Sequence, residues 1–401
     1  MLKIFENITN NTKDALNKRK IIKQFINDGD MTLNNLASNI NLSIPTVTRI
    51  INEMIDEKYI QDLGKLKTAE GRHPNLYGLN AEAAYFIGVD IEHFGINIGL
   101  CNFRGEIVNL KTRIPHKFEN TKESFNTICA IIKDFIKAQD VKEDKILNVQ
   151  INISGRVNPK TGYSYSIFYF DETPLSEHFS KKIGHHVSID NDTRAMTYGE
   201  YLSGNVTEEK NIIFVNLSWG IAIGIIINGQ IYTGKSGFAG EFGHVKAFDN
   251  EVICHCGKKG CIETEISGSY LYKTLLEEIN NGAVSTLSQT VKKREITLND
   301  IIDAVVDKED VLCIKLVEEI GSKLGEQLAM LINIFNPESI IIGGTLSEAK
   351  TYLIPPIKTT VRRYSLNLVS RDSQLLPSKF TGKSGVIGAC LLSRKKIFDD
   401  V

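Results

Sequence analysis

The stretch G-E-F-G-H-V-K-A-F-D-N-E-V-I-C-H-C-G-K-K-G-C-I-E, from Gly240 to Glu263, places one histidine and three cysteines in the spacing H-x9-C-x-C-x4-C. His244, Cys254, Cys256 and Cys261 offer one imidazole and three thiolates, the donor set of a closed tetrahedral zinc site. Gly257 and Gly260 supply turns that fold the run back on itself. His255 is a fifth candidate; lying between two close cysteines, it is read as pointing away. The alternative is a set of ordinary reduced cysteines on a glycine-rich loop.

Carboxylates bracket the knot. Glu241 stands three residues before His244 and Glu263 two after Cys261. Solvated loop glutamates are the default for this residue type, but acids anchored by a metal-locked loop are suited to holding the hydroxyls of a sugar. The bulk of the chain is that of an ordinary globular protein, with 401 residues, 42% hydrophobic, 24% charged and a net charge of −1. That length predicts two or three domains. The balance of charge points to neither nucleic acid nor membrane, and no apolar run is long enough to cross a bilayer. The N-terminal residues lack the apolar core of a secretory signal, and with 7 cysteines, three of them in the knot, the expectation is a cytoplasmic protein.

Toward the N-terminus three helices are predicted. The first covers 14–27, with Leu16, Ile21, Ile22, Phe25 and Ile26 on one side. The second is capped by Thr32 and carries Leu33, Leu36, Ala37 and Ile40. The third is capped by Ser43 with Pro45 in its first turn, and buries Ile44, Val47, Ile50, Ile51, Met54 and Ile55. Thr46, Thr48 and Arg49 lie on its open face. A hairpin follows, with strands at 59–64 and 75–79 around the basic run K-L-K-T-A-E-G-R-H-P. Two helices on a short turn, with a basic wing, make a winged helix-turn-helix whose DNA contacts are expected at Ser43, Thr46, Thr48, Arg49, Lys65, Lys67 and Arg72. Residues 1–80 hold 11 Lys and Arg against 9 Asp and Glu, so arrangement, not net charge, carries this reading.

Glycine-punctuated strands begin at Tyr85. Strands at 86–91, 95–103 and 106–110 are repeated at 212–217, 220–228 and 230–233, the second set turning at Asn228-Gly229. Helices and strands follow each copy: 121–138, 148–153 and 186–190 after the first; 267–282, 297–306, 308–335 and 339–342 after the second. This duplicated α/β unit predicts two ribonuclease-H-like (actin-like ATPase) lobes with a ligand cleft between them. The domains are expected at 1–80, 84–196 and 197–384, with a C-terminal helix over 385–401 completing the first lobe.

The C-x-C-G-x-x-G-C-x-E run at Cys254–Glu263, the E-x-x-H at Glu241–His244 and Asp190-Asn191-Asp192 together resemble the ROK family of sugar-responsive repressors and sugar kinases. With the winged helix the resemblance covers essentially the whole chain and points to the repressor branch. It implies a structural zinc on His244, Cys254, Cys256 and Cys261. It also implies a monosaccharide or amino sugar bound by Asn191, Asp192, Glu241, His244 and Glu263, with Asp192 at the position of the kinases' general base. Asp192 can in addition cap a helix over 193–201. Operator DNA, a homodimer or homotetramer, and a regulatory protein partner are the partners implied.

The family's kinases resemble D-x-G-G-T-K at the first strand turn and G-T-G-I-G at the second. Here the turns read Asp90-Ile91-Glu92-His93-Phe94-Gly95 and Ser218-Trp219-Gly220-Ile221-Ala222, although Gly343-Gly344-Thr345 still matches. Glu92 puts a carboxylate where phosphate would lie, and two like charges about 4 Å apart cost on the order of 4 kcal/mol. Expected, therefore, is a ligand-controlled DNA-binding regulator and not an enzyme; a sugar kinase carrying a DNA-binding domain is the alternative.

Overall fold

The structure is a computed structural model and describes residues 12–65, 74–206 and 208–399. Helices α1 (Lys13–Asp28), α2 (Leu33–Asn39) and α3 (Ile44–Asp56) start on side-chain caps at Thr12, Thr32 and Ser43, each accepting the backbone N–H three residues on. Short strand β1 (Met31–Thr32) joins the hairpin of β2 (Ile60–Lys65) and β3 (Asn75–Leu79) in a sheet of order β1-β3-β2. Lys67 and Arg72 lie outside the described residues.

Two expected core positions are corrected. Ile44 is 49% exposed and Leu16 41%. Ile44 occupies the first turn of α3, before the helix comes down on its neighbours, and the inward stripe starts at Val47.

The first lobe comprises β4 (Tyr85–Ile91), β5 (Gly95–Asn102), β6 (Ile107–Pro115), α4 (Lys122–Lys137) and β7 (Ile146–Ile153). A ribbon of β8 (Val157–Asn158) and β9 (Tyr163–Ser164) follows, then α5 (Leu175–Ile183), β10 (Val187–Asn191) and α6 (Asp192–Ser203). The second lobe runs through β11 (Ile212–Leu217), β12 (Ile221–Ile227), β13 (Gln230–Ile231), α7 (Gly268–Asn280), α8 (Ser288–Lys293), α9 (Leu298–Val306) and α10 (Val311–Phe335). It closes with β14 (Ser339–Gly343), α11 (Lys350–Tyr364), α12 (Asn367–Asp372) and β15 (Gln374–Pro377), and α13 (Ser384–Asp399) ends the chain.

The two five-stranded sheets have orders β10-β7-β4-β5-β6 and β15-β14-β11-β12-β13: in each, an antiparallel meander is extended by two parallel strands. Asn228 and Gly229 both have positive φ (52° and 75°), the type I′ geometry that the Asn-Gly pair favours. Helix α10 starts at Val311, later than 308, because the Asp310 side chain accepts the Cys313 N–H and caps it there.

α13 lies on the first sheet and against α6. Gly199 and Gly388 permit that crossing, since a Cβ on Gly199 would stand 2.8 Å from the Gly388 Cα. α6 itself runs unbroken through 196/197, so the lobe boundary expected there falls inside a helix that packs on both α13 and β12. One apolar core joins α1 and α3 (Ile21, Phe25, Ile50, Met54) to Phe86 and Phe103 of the first lobe and to Ile397 and Phe398 of α13. An Arg104–Asp30 ion pair of 2.6 Å closes the same junction. Among the described residues no helix is long and apolar enough to cross a membrane.

Candidate effector cleft, metal cluster and nucleic-acid face

The carboxyl ends of β4, β7 and β10 meet the start of α6 at the floor of a cleft of about 640 Å³ between the lobes. Asn191 is the last residue of β10 and the N-cap of α6; Asp192 is that helix's first residue and not its cap. The Asn191 Oδ1 accepts the Arg194 N–H at 3.2 Å and its Nδ2 donates to the Gly155 carbonyl at 3.1 Å. One lone pair and one N–H are thus left for a ligand. Asp192 accepts from the Ser154 hydroxyl (2.8 Å) and the Thr193 N–H (2.7 Å). Burial nevertheless holds its pKa above the usual carboxylate value.

Behind them, Asp190 is buried between Arg194 (2.6 Å) and Lys396 of α13 (2.9 Å). Burial alone would raise its pKa, but the two cations hold it below the ordinary value. Asp90 is 1% exposed, its Oδ2 has no partner among the described residues, and burial drives its pKa well up. Glu92 accepts from Asn97 Nδ2 at 3.0 Å, and burial pushes it up to about 7. Burial thus works against the fixed negative charge expected of it.

The loop over 240–263 closes through antiparallel bridges Lys246↔Cys261 and Ile253↔Lys259. Gly260 sits at φ 73°, where a Cβ would come within 2.1 Å of the Phe248 carbonyl oxygen. His244, Cys254, Cys256 and Cys261 then offer four ligand atoms all within 4.8 Å of one another. His244 Nδ1 to Cys254 Sγ and Cys256 Sγ to Cys261 Sγ are each 3.6 Å. The edge of a tetrahedron with metal–sulfur bonds of about 2.3 Å is about 3.8 Å, so the donors are spaced for one ion. Burial pushes the Cys254 thiol up to about 12, a penalty that a coordinated cation reverses by holding the thiolate.

With Nδ1 turned to the sulfurs, His244 faces Glu241 with Nε2, 3.8 Å from Oε2. His255 does not point away. Its Nδ1 stands 2.7 Å from Glu263 Oε1, its ring is edge-on to His244 at 4.9 Å, and it lines the cleft. His255 and Cys256 lie in a turn, where side chains do not alternate, and the imidazole Nδ1 stays 3.9 Å from Cys254 Sγ. The Glu263 hydrogen bond raises the His255 pKa. In Glu263, whose side chain is 12% exposed, burial opposes ionisation but His255 wins and its pKa falls.

The far half of the cleft is aromatic. His93 stacks on Trp219 (ring centroids 4.1 Å, interplanar 8°), and Phe94 meets the indole edge-on at 5.2 Å. Tyr270, Lys273, Thr274 and Glu277, at i, i+3, i+4 and i+7 of α7, line the same space. That spacing is a sequence signal, but a polar helical stripe is normally just a solvated face, and the sequence reading passed over it.

A family model described as ROK family matches residues 87–396, and one described as winged helix-turn-helix DNA-binding matches residues 15–61. The chain belongs to the ROK family. A putative xylose repressor of Caldicellulosiruptor sp. (strain Rt8B.4) is 26% identical over 392 residues, 96% of this chain and 97% of its own. A ROK family transcriptional regulator, a homologue of the E. coli Mlc protein, superposes with a TM-score of 0.76 at 25% identity over 96% of this chain and 97% of its own. A ROK family glucokinase from Streptomyces griseus, solved with glucose and AMPPNP, matches with a TM-score of 0.66 at 26% identity, covering 78% of this chain and 100% of its own. The kinase thus corresponds to the two lobes alone, whereas the regulator spans the winged helix as well.

On the winged helix, the Ser43 hydroxyl is 2.8 Å from that of Thr46, and Thr48 donates to the Ile44 carbonyl of its own helix. Arg49 is held by Asp14 (2.6 Å) and Glu53, which raise its pKa. Lys65 is exposed at the end of β2. The exposed Ile44 joins this polar face, a residue that the periodicity had assigned to the core.

Proposed function

We propose that this ROK family protein is a sugar-responsive transcriptional repressor that binds operator DNA through its winged helix and a monosaccharide or amino sugar in the cleft. The observation that carries the reading is one apolar core shared by the DNA-binding helices and α13, the helix whose Lys396 is ion-paired to Asp190 behind the cleft floor. Asn191, Asp192, Glu241, His244 and Glu263 hold the sugar hydroxyls, the acids accepting and the amide and imidazole N–H donating. Zinc is the metal of the cluster: three sulfurs and one nitrogen, with no open position, suit a structural ion. It keeps His244 and Glu263 in fixed positions, and no chemistry is required of it. The protein is not a kinase, because the turns that would cradle phosphate carry Glu92-His93-Phe94 and Trp219 in place of glycines.

Sugar bound at Asp192 bears on β10 and α6, and the Asp190–Lys396 and Asp190–Arg194 ion pairs pass that bias to α13, which touches α1. Two lobe arrangements then differ in how a homodimer, or a pair of dimers, spaces its recognition helices on a palindromic operator. The sugar shifts their balance only by its differential affinity. On the DNA face, Ser43, Thr46 and Thr48 meet phosphate or base edges at the start of α3, Ile44 suits a thymine methyl, and Arg49 exchanges Asp14 for phosphate. Lys65, with Lys67 and Arg72, reaches the flanking backbone. A regulatory protein partner is compatible with the same face.

The test is capture of fragmented genomic DNA of the source organism by the purified protein, sequencing of what is retained, and release by sugars. A few palindromic sites beside carbohydrate genes, released by one sugar, are expected, and Arg49→Ala should lose those sites while keeping sugar affinity. Retention of nothing specific by folded, metal-loaded protein, together with sugar-dependent ATP consumption, would overturn the reading in favour of a kinase.

A further inference from the structure

Resting on the reading of the near half as the effector site, we infer that the far half of the cleft is a second saccharide subsite, so that the preferred effector is a two-ring saccharide. A cleft of about 640 Å³ lies within the range of roughly 300–1,000 Å³ that encloses drug-sized ligands. A monosaccharide of about a dozen non-hydrogen atoms leaves much of it empty. The remaining space is not featureless. The Trp219 indole is stacked on His93 with Phe94 and Tyr272 packed beside it, and Trp219 lines the cleft with Phe94 and Tyr270. Aromatic surfaces with an edge of fixed polar groups are suited to pyranose rings, which present a flat patch of C–H bonds ringed by hydroxyls. The polar edge is supplied by Lys273, Thr274 and Glu277 of α7 and Asn299 at the start of α9.

Continuity between the halves is built into the backbone. The Ser218 and Trp219 carbonyls accept the Gly268 and Ser269 N–H groups at the head of α7, each at 2.8 Å. Two residues beyond Trp219, the Ile221 N–H points to Glu263 Oε2 at 3.4 Å, and a Cβ on the intervening Gly220 would stand 2.7 Å from that oxygen. The aromatic wall therefore begins where the near-half acid ends. A nucleotide is the other ring-bearing occupant. Its phosphates would have to lie among Asp90, Glu92 and Asp192, three carboxyl groups that supply no positive charge to hold them.

Titration calorimetry on the full, metal-loaded chain with xylose, glucose and N-acetylglucosamine, and with xylobiose, cellobiose and diacetylchitobiose, tests this. The matching dimer should bind at least tenfold more tightly than its monomer. It should also shift the emission of Trp219, the only tryptophan in the chain, while the monomer leaves that emission nearly unchanged. Lys273→Ala, at an exposed position, and Trp219→Leu should each bring dimer affinity toward that of the monomer without altering the monomer's. Monomers binding while no dimer binds more tightly would overturn this inference alone. Failure of all six sugars would overturn the effector reading and this one with it. Saturable AMP binding that Trp219→Leu abolishes would assign the subsite to a nucleobase instead.

Discussion

Each half of the cleft draws on both lobes of the duplicated fold, yet the two halves have opposite chemistry. The near half is lined by carboxylates and imidazoles whose positions are set twice over, by the α6 N-terminus and by the four-ligand cluster. The far half is lined by rings and by a polar stripe of α7, and among the described residues no His/Cys cluster of that kind stands beside it. The same strand-end turn, after β4 in one lobe and β11 in the other, supplies Glu92-His93-Phe94 and Ser218-Trp219-Gly220. One frame thus carries both chemistries, and a solved regulator and a solved kinase of the family both superpose on it.

The largest effect should come from breaking the cluster that fixes the near half. Cys256 is exposed, so Cys256→Ser removes almost no packing. A loss of metal, with a cost of several kcal/mol and a fall in Tm of more than about 5 °C, would therefore measure coordination itself. Unchanged metal content by elemental analysis would refute the cluster. Asp192→Asn should come next. Losing a charged acceptor of sugar hydroxyls costs about 1.5–3 kcal/mol, a drop in affinity of more than about tenfold by calorimetry, with Tm nearly unaltered. Equal loss of stability would make Asp192 a structural residue.

A smaller effect separates the halves by pH. Glu92 is raised from 4.5 to about 7 by burial. Between those values the unfolded chain releases its proton while the folded chain keeps it, so this group lowers stability as pH rises, by at most about 3 kcal/mol. Glu92→Gln should therefore stabilise the protein at pH 8 and leave it nearly unchanged at pH 4.5. A thermal-melting series showing equal gains at both would remove Glu92 from this account. The smallest change is expected of His255→Ala, about threefold weaker sugar binding without loss of metal, since an exposed imidazole contributes a modest ion pair to Glu263. Loss of metal in that variant would make His255 a ligand.

Much of the fold, and the Cys/His loop of the near half, was legible because the signals are local. The caps at Thr32 and Ser43, the Asn228-Gly229 turn and the H-x9-C-x-C-x4-C spacing are each satisfied within a few residues or one loop, and the structure has all of them. The misreadings arose where a distant partner decides. Ile44 fits the apolar period of α3, but the described residues leave about half of it uncovered. Asp192 is a good capping residue, but β10 runs one residue further than expected and Asn191 takes the cap. Arg49 is an open-face cation in the sequence; only the fold brings Asp14 to within 2.6 Å.

The chain's own order of residues determined the His/Cys donor set that could hold a metal, the starts of the helices, the repeated strand pattern and the residues of the two strand-end turns. Each of these follows from residue chemistry acting over short stretches of backbone. Tertiary structure alone decided that His255 faces Glu263, that α7's polar stripe borders the cleft, and that α13 shares one core with the DNA-binding helices. Those outcomes depend on which surfaces, remote in sequence, are driven together by burial of apolar area, a non-directional force whose pairings no local pattern encodes.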